Sequence, residues 1–381
     1  MHDLTIQRVT SETDLRDFIT FPWKVYRGDR NWVPPLLTER HAFLDPQHNP
    51  FFQHARAEYF LARRGPEVVG TIGAFTNRLY NQIHETNDGF FGFFEVLDDQ
   101  EAAAALLATA EDWARAAGHT NLVGPAQFST NDELGLLIDG FDDPPRILMT
   151  YNPPRYRTYL EAAGYQKAMD LLAYALQMSD FRNHTPEKLL RVVEKVKQRG
   201  KWRVRRIDMK RFDQEVDLVK RIYNRSWEKN WGFVPMTDPE FERLAEQLRP
   251  ILDPDLAVIG ECDGEVAGFG LSLPDLNEPL RKAYPSPGTP EWWTMARLAW
   301  HWKVRGRMKW LRVFVLGVLP EFRGAGVDAL MYLETAKSAI PKGYQAAEMS
   351  WILENNVMMN RSIQFLGGKV YKTYRMFQKG L

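Results

Sequence analysis

The fold of this chain is decided by one stretch of sequence, Leu316-Gly-Val-Leu-Pro-Glu-Phe-Arg-Gly-Ala-Gly-Val-Asp-Ala-Leu330. The apolar run at 310–315 predicts a buried strand, and the pattern at 329–337 predicts an amphipathic helix. Residues 323–326 are therefore a glycine-bearing turn at a helix N-terminus, where backbone N–H groups and the helix dipole attract a diphosphate. The turn is neither the dinucleotide fingerprint nor the Walker loop, since no third glycine and no Gly-Lys-Ser/Thr follows. A strand-to-helix turn without a ligand is the alternative that this pattern leaves open.

The segments after this turn extend the pattern to the end of the chain. A predicted strand at 346–354 leads into Asn355 and Asn356, then a predicted helix at 358–366, two glycines and a closing strand at 370–377. In this order of elements the chain resembles the GNAT (N-acetyltransferase) superfamily, and it matches that family's acyl-CoA-binding half. The resemblance implies acetyl-CoA or acyl-CoA as the co-substrate.

The resemblance also implies which residues contact the coenzyme. The backbone of the turn would hold the pyrophosphate, while the end of the preceding strand and Asn356 would contact the pantetheine arm from two sides. The implied contacts are Leu316, Val318, Arg323, Gly324, Ala325, Gly326, Val327 and Asn356. Two residues depart from the family pattern. Asp328 replaces a small residue of the loop, and Ile363 stands where the family often has a tyrosine that protonates the leaving thiolate.

Two sequence features recur along the chain in the same order. Glu-Val-x-Gly occurs at 67–70 and 265–268, and an Asn-to-Gly span of equal length occurs at 152–164 and 356–368. Both pairs are separated by about 200 residues, which favours a duplicated domain over chance similarity. We therefore predict an α/β (α+β) fold with two GNAT-like domains, each a mixed central sheet flanked by helices. The predicted division is 1–178, a basic helical linker at 179–200, and 201–381.

The two predicted copies differ at the coenzyme loop. In the first copy the strand at 89–97 runs directly into a helix whose start carries Asp98, Asp99 and Glu101. These acids suit the helix dipole but repel a diphosphate. We predict that the first domain is degenerate, lacks an acyl-CoA loop, and serves as a scaffold or as a wall of the acceptor pocket.

Composition and charge exclude several classes of protein. The content of 44% hydrophobic and 26% charged residues is ordinary for a globular protein. Basic and acidic residues both number 49, and this zero net charge argues against a general nucleic-acid binder. The start carries no apolar secretory segment and no run reaches 18 apolar residues, which predicts a cytoplasmic protein. The histidines lack ligand spacing, so no metal site is predicted. The oligomeric state is not indicated.

A long loop at 124–145 carries the candidate substrate-binding residues. Asn131, Asp132 and Glu133 form a polar cluster between apolar residues of this loop. They either point at an amine or hydroxyl substrate or hydrogen-bond their own loop.

The candidate catalytic residues lie in the second copy. Direct attack of a neutral amine on a thioester needs a carbonyl that is held in position, a base that deprotonates the ammonium and an acid that protonates the thiolate. Glu354 is the candidate base, and Tyr374 and Tyr371 are the candidate acids. A structural role for each of the three is the alternative.

The segment from Trp292 to Trp310 combines five tryptophans with five basic residues and contains no acid. Tryptophan suits a lipid–water boundary, and basic side chains attract anionic headgroups. One interpretation is therefore a helix that makes peripheral contact with the inner face of a membrane. The other is a helix that packs its tryptophans on the second domain.

The tandem arrangement, Asn-Pro-Phe-Phe at 49–52 and the Gly124-Pro loop resemble one bacterial two-domain GNAT subfamily. This subfamily includes bacterial ceramide synthases, which acylate a sphingoid amine from acyl-CoA. The resemblance implies an acyl-CoA-dependent N-acyltransferase whose acceptor is a small-molecule or lipid amine. The alternative is a non-catalytic acyl-CoA-binding or scaffold module, in which Asp328 and Ile363 mark lost activity.

Overall fold

The computed structural model describes residues 3–183, 187–228, 230–306 and 308–381. Its strands are β1 Leu4–Arg8, β2 Ala55–Arg64, β3 Glu67–Asn77, β4 Asp88–Val96, β5 Asn121–Gly124, β6 Leu136–Asp139, β7 Gln166–Gln177, β8 Trp202–Arg206, β9 Ala257–Cys262, β10 Glu265–Pro274, β11 Trp310–Val318, β12 Ala346–Leu353 and β13 Lys369–Gly380.

The helices alternate with these strands along the chain. They are α1 Glu12–Thr20, α2 Pro22–Val25, α3 Leu37–Leu44, α4 Arg78–His84, α5 Gln100–Ala116, α6 Arg155–Ala162, α7 Met178–Asn183, α8 Glu187–Gln198, α9 Phe212–Ser226, α10 Asp238–Leu248, α11 Asn277–Ala283, α12 Glu291–Ala299, α13 Val327–Ala339 and α14 Val357–Phe365. A π-helical turn, Trp300–Val304, continues α12.

The chain forms two compact units. Unit 1 comprises Met1–Leu171, Pro279–His301 and Lys372–Leu381, and unit 2 comprises Leu172–Glu278 and Trp302–Tyr371. These units do not follow the predicted division at 178 and 201, because β7 and β13 each begin in one unit and continue in the other. The predicted linker at 179–200 contains α7 and α8, with residues 184–186 outside the described residues.

Both units repeat one order of strand pairing. In unit 1, β1, β2, β3 and β4 pair as antiparallel neighbours, and β5 then pairs parallel to β4. In unit 2, β8, β9, β10 and β11 pair in the same antiparallel way, and β12 is parallel to β11. A long helix connects each parallel pair, as a parallel connection requires. The predicted mixed sheets flanked by helices are confirmed.

The repeated register extends to local irregularities. Gly70 pairs with Val96 in unit 1, and Gly268 pairs with Val318 in unit 2. β4 and β11 also each carry a β-bulge, and in β11 the additional residue is Phe314, between the pairs Leu271–Val315 and Ser272–Val313. A bulge bends a strand and redirects its side chains, and bulges are frequent beside active sites.

The N-terminus of α13 is set by close packing in unit 2. Val327 is buried against Gly260 of β9, where a Cβ atom would lie 2.6 Å from a Val327 methyl. On another side, Gly326 lies under Val192 and Val196 of α8. The apolar face of α8 joins the buried cluster of α13, so this helix is part of the core of unit 2.

Gly92 of β4 tests the packing of unit 1. A Cβ atom on it would lie 1.7 Å from the carbonyl oxygen of Ala126, which is backbone and cannot swing away. Gly92→Ala is therefore expected to lower the free energy of unfolding by about 2 kcal/mol or more. Gly288→Ala is the control, since Gly288 has open space and no positive φ. Urea unfolding of the natural protein, Gly92→Ala and Gly288→Ala measures this loss of stability. Equal midpoints for the natural protein and Gly92→Ala would contradict this packing.

Candidate active site

The glycine turn between β11 and α13 has the geometry that its sequence predicts. Gly324 and Gly326 adopt φ values of 76° and 89°, a left-handed conformation that glycine adopts without strain. Gly326 is also the N-cap of α13, so the first amides of the helix have no intrahelical acceptor. In the parts of the chain that the structure describes, the amides of Gly324 and Gly326 donate to no protein acceptor. The turn thus presents N–H groups at the positive end of a helix dipole.

Arg323 fixes this turn rather than extending from it. Its Nη2 donates to the carbonyl oxygen of Ser226 at 2.7 Å, and its Nε donates to that of Val318 at 3.3 Å. Ser226 ends α9, and Val318 ends β11. The guanidinium therefore connects the end of a helix, the end of a strand and the turn, while leaving its positive charge beside the turn.

The paired strands β11 and β12 separate before either strand ends. The parallel ladder between β11 and β12 covers four pairs and ends at Val313 and Met349, although β11 continues to Val318 and β12 to Leu353. We call this opening the strand fork. Beyond it, the edge of β11 that faces β12 carries backbone groups that need another partner. On its other edge, the end of β11 stays paired with β10. Leu316 and Val318, the predicted pantetheine contacts, lie in this unpaired part.

A buried polar network lies at the closed end of the fork. Arg312 and Glu348 are opposite each other, one pair before the ladder ends. The Arg312 Nε lies 3.8 Å from the Glu348 Oε1 and donates to the Ser350 Oγ at 2.9 Å. Ser350 donates in turn to the Glu348 Oε1 at 2.5 Å. The Tyr371 hydroxyl donates to the other carboxylate oxygen of Glu348.

Exposure distinguishes the members of this network. Arg312, Glu348 and Ser350 are buried, whereas Tyr371 is half-buried and stacks on Trp310 at 5.9 Å between ring centroids. Tyr371 is therefore the member best placed to meet a substrate. Sequence reasoning selected Tyr371 but missed the other three. The available signal was the alternation of Glu348 and Ser350 in the otherwise apolar β12, which puts both side chains on one face, together with the single charged residue, Arg312, in β11.

The remaining residues that the sequence singled out in the second copy have different surroundings. Asn356 caps α14, its side-chain oxygen accepting from the Met359 amide at 3.2 Å. Glu354 is exposed just after β12. Ile363 is buried in the core and has no titratable group, so an acid must come from elsewhere. The prediction that Tyr374, the second candidate acid, lies in the second copy is wrong, because β13 continues into unit 1 from Lys372 onward. Tyr374 is buried there and pairs with Leu137 of β6.

The candidate acceptor residues of unit 1 hydrogen-bond within their own surroundings. Asp132 accepts from the Ser129 hydroxyl at 2.8 Å, and the Asn131 amide donates to that same hydroxyl at 3.1 Å. Glu133 pairs with Arg40 at 3.3 Å. This geometry fits the interpretation that the polar cluster stabilises its own loop, and a role in substrate binding stays a prediction.

The acids at the start of α5 are neutralised within unit 1. Arg64 contacts Asp99 at 2.7 Å and Glu101 at 2.6 Å, and Asp99 also caps α5. Asp98 accepts from the Tyr159 hydroxyl at 2.9 Å. Arg64 and its acidic partners thus occupy the start of α5, and Asp99 already caps that helix. The absence of coenzyme binding by the first copy stays a prediction.

Comparisons with known proteins were made at the levels of sequence and structure. The chain is 39% identical over 384 residues to the bacterial ceramide synthase of Caulobacter vibrioides, covering 100% of this chain and 98% of that protein. It is 35% identical over 378 residues to protein YghO of Escherichia coli, covering 98% of this chain and 95% of that protein. The sequence matches no protein-family model.

The chain belongs to the bacterial family that includes this ceramide synthase. Its fold resembles a tandem GNAT protein from the clavulanic acid biosynthesis pathway, with a TM-score of 0.57 at 13% identity, covering 99% of this chain and 98% of that one. It also resembles a GCN5-related N-acetyltransferase from Sphaerobacter thermophilus, with a TM-score of 0.51 at 14% identity, covering 99% and 95% of the two chains. The predicted tandem GNAT fold and subfamily are confirmed, and together they support an acyltransferase function.

Two features are absent from the residues that the structure describes. These residues contain no helix that is long and apolar enough to cross a membrane. They also contain no group of three or more His, Cys, Asp or Glu residues placed to hold a metal ion.

Unit 1 holds one carboxyl group that titrates near neutrality. Glu95 on β4 accepts from the Tyr26 hydroxyl at 2.9 Å and from the Tyr156 hydroxyl at 2.8 Å. Loss of water around the carboxyl raises the pKa of Glu95 to about 7, although these hydrogen bonds and Arg155 lower it. Sequence reasoning did not select Glu95.

The raised pKa of Glu95 gives a stability prediction. The folded state holds the Glu95 proton more tightly than the unfolded state, so its stabilising effect is present at low pH and is lost as pH rises through about 7. Between about pH 5 and 8, the natural protein should lose roughly 2 kcal/mol more of its free energy of unfolding than Glu95→Gln does. Urea unfolding at both values measures this difference.

Glu67→Gln is the matched control for Glu95, because the Glu67 side chain is 70% exposed. It should show the same pH dependence as the natural protein. If Glu95→Gln also shows that dependence, Glu95 does not titrate near neutrality.

Proposed function

We propose that this protein is an acyl-CoA-dependent N-acyltransferase that moves an acyl group from CoA to a lipid amine of the sphingoid class. The observation that carries the proposal is the glycine turn at the start of α13 beside a strand fork whose unpaired edge leads into it. The name of the Caulobacter relative, a ceramide synthase, supports the acceptor class. Unit 2 would bind the acyl-CoA.

The turn would hold the pyrophosphate through backbone groups. Gly324 has no atom within 4 Å of where a Cβ would lie, so a phosphate can approach its backbone. The amides at the start of α13 and the nearby Arg323 charge favour an anion. The pantetheine arm would enter the strand fork and pair with Leu316 and Val318 as an added strand does. Asn356 would contact that arm while its oxygen caps α14.

The transfer would begin with attack of the neutral amine nitrogen on the thioester carbon. Backbone N–H groups at the open strands near Val318 and Trp351 would stabilise the oxyanion. Collapse of the intermediate breaks the C–S bond and releases the CoA thiolate. The nitrogen must lose one proton, and the thiolate or solvent must gain one.

Tyr371 and Glu348 would carry this proton. The Tyr371 hydroxyl would accept the proton from nitrogen while it passes its own to the Glu348 carboxylate, and the return transfer would protonate the thiolate. Arg312 and Ser350 would hold the carboxylate in place. Since Glu348 is buried, it would act through Tyr371. Glu354 and Tyr374 stay the competing candidates for base and acid.

Gly324→Glu tests the coenzyme site. The added carboxylate would occupy the pyrophosphate space and repel the diphosphate, so CoA affinity should fall by at least a hundredfold, worth about 3 kcal/mol. Isothermal titration calorimetry measures this affinity. It should also give one CoA per chain for the natural protein.

Gly118→Glu is the matched control for the coenzyme test. Gly118 also has a positive φ, of 85°, and open space, so the variant adds the same charge and similar backbone strain in unit 1. Its CoA affinity should be unchanged. Equal affinity for CoA in both variants, or two equal CoA sites per chain, would reject the assigned coenzyme site.

Tyr371→Phe and Glu348→Gln test the proton path. Both variants should bind acyl-CoA normally and lower kcat by about a hundredfold or more, the usual contribution of a positioned acid or base. Thiol release from a long-chain acyl-CoA in the presence of a sphingoid amine measures kcat, and its pH profile should change in both variants. Thermal unfolding checks that each variant is folded.

Glu354→Gln is the control variant for the proton path, because Glu354 is exposed in the same unit. It should retain activity. A large loss in Glu354→Gln with normal rates in Tyr371→Phe would assign the base to Glu354 instead. Binding of acyl-CoA by the natural protein without turnover across a panel of amines would favour the non-catalytic module.

A further inference from the structure

An exposed aromatic surface lies on α12 and its π-helical continuation. Large apolar side chains along this segment have high exposed fractions: Trp292 72%, Trp293 50%, Met295 45%, Trp300 52% and Val304 64%. We call these five residues the tryptophan patch. Scattered exposed apolar residues are ordinary on a protein surface, but a contiguous group marks an interaction surface. These exposures argue against the interpretation that this segment packs Trp292, Trp293 and Trp300 on the second domain.

The exposure of the tryptophan patch does not come from a detached helix. Thr294 and Leu298, one turn apart, are buried and fix the opposite face of α12. Glu291 accepts from the Thr38 amide at 3.3 Å, and Arg297 donates to the carbonyl oxygen of Lys282 at 2.9 Å. The helix is thus held at both ends, with its tryptophans turned away from the residues that hold it.

Basic side chains accompany the patch. Lys303, Arg305 and Lys309 are exposed, and the Lys303 Nζ lies 3.8 Å from the centre of the Trp302 ring. Arg307 lies outside the described residues. The stretch 292–310 contains no acid although the whole chain has zero net charge. The positive charge is therefore concentrated beside the tryptophan patch.

We propose that the tryptophan patch docks on an anionic membrane surface. Tryptophan has an apolar ring and a polar N–H, which suits the headgroup boundary, and the adjacent cations attract anionic lipids. A second copy of the chain is a poorer partner. A two-fold interface would bring the same basic segment of both copies together with no acid in it to pair. The proposed contact is peripheral, with the tryptophan rings at the headgroup boundary.

This docking goes beyond the proposed activity and does not depend on it. It would place the protein at the surface that holds amphiphilic amines and the acyl products made from them. The coenzyme, in contrast, is water-soluble through its nucleotide. A peripheral site therefore lets one enzyme draw on both phases.

Vesicle sedimentation of the full-length protein tests the docking, without acyl-CoA or amine. The natural protein should sediment with vesicles of phosphatidylcholine and phosphatidylglycerol at low salt, and less so as salt rises. The triple variant Trp292→Ser/Trp293→Ser/Trp300→Ser should lose most of this binding. Lys303→Gln/Arg305→Gln should weaken it roughly 25-fold at low salt, about fivefold for each cation removed.

The control variant Ile83→Ser/Met358→Ser removes two exposed apolar side chains elsewhere and should bind vesicles normally. The proposal is overturned if the natural protein fails to sediment with phosphatidylglycerol vesicles at low salt, or if the triple variant sediments equally well. A dimer that binds no vesicles and dissociates in the triple variant, seen by light scattering, would assign the patch to a second copy.

Discussion

The site of this protein depends on the end of one strand ladder. A sheet strand must pair its backbone groups, yet β11 leaves β12 after Val313 and continues alone along that edge for five residues. The bulge at Phe314 turns the strand at this point, and pairing with β10 keeps its other edge fixed. Arg323 then connects the strand end to α9. These contacts hold an unpaired edge open beside a glycine turn, which is the geometry that an extended ligand with a diphosphate at one end requires.

The two units differ at the position of the candidate coenzyme site. Strand order and the Gly–Val register are the same in both, so the difference lies in a few side chains. By this register Glu95 of unit 1 occupies the position of Gly317 in unit 2, where the Trp227 ring lies against the strand. At the helix start, Arg64 and its acidic partners replace the open glycine turn. In unit 1 the Asp99 side chain caps the N-terminus of α5. In unit 2 the N-terminus of α13 has no side-chain cap, which leaves its amides for a ligand.

The sequence predicted the parts of this structure that depend on local patterns. The predicted helices at 329–337 and 358–366 are α13 and α14 within two residues, because apolar periodicity and caps act over short distances. The continuation of β13 from unit 2 into unit 1 was not predictable. Both copies end in similar strands, and only tertiary contacts decide to which unit each strand belongs. Nor was the Glu348 network, because a polar residue in an apolar strand has no visible partner until the strands are paired. For α12, composition left two interpretations, and the exposure of Trp292 and Trp300 argues against packing of these tryptophans on the second domain.

Arg312, Glu348 and Ser350 are better explained by chemistry than by stability. A buried ion pair adds little net stability, because removing two charges from water offsets their attraction, and apolar residues of similar volume often serve as well. Here the pair lies one residue before the strands part, so the carboxylate is fixed by the same ladder that ends at the fork. Tyr371, held by stacking on Trp310, connects that carboxylate to a half-exposed hydroxyl. Strand pairing thus sets the position of the opening and that of the proposed proton acceptor together. A change that shifts the end of the ladder would therefore be expected to disturb binding and proton transfer at the same time.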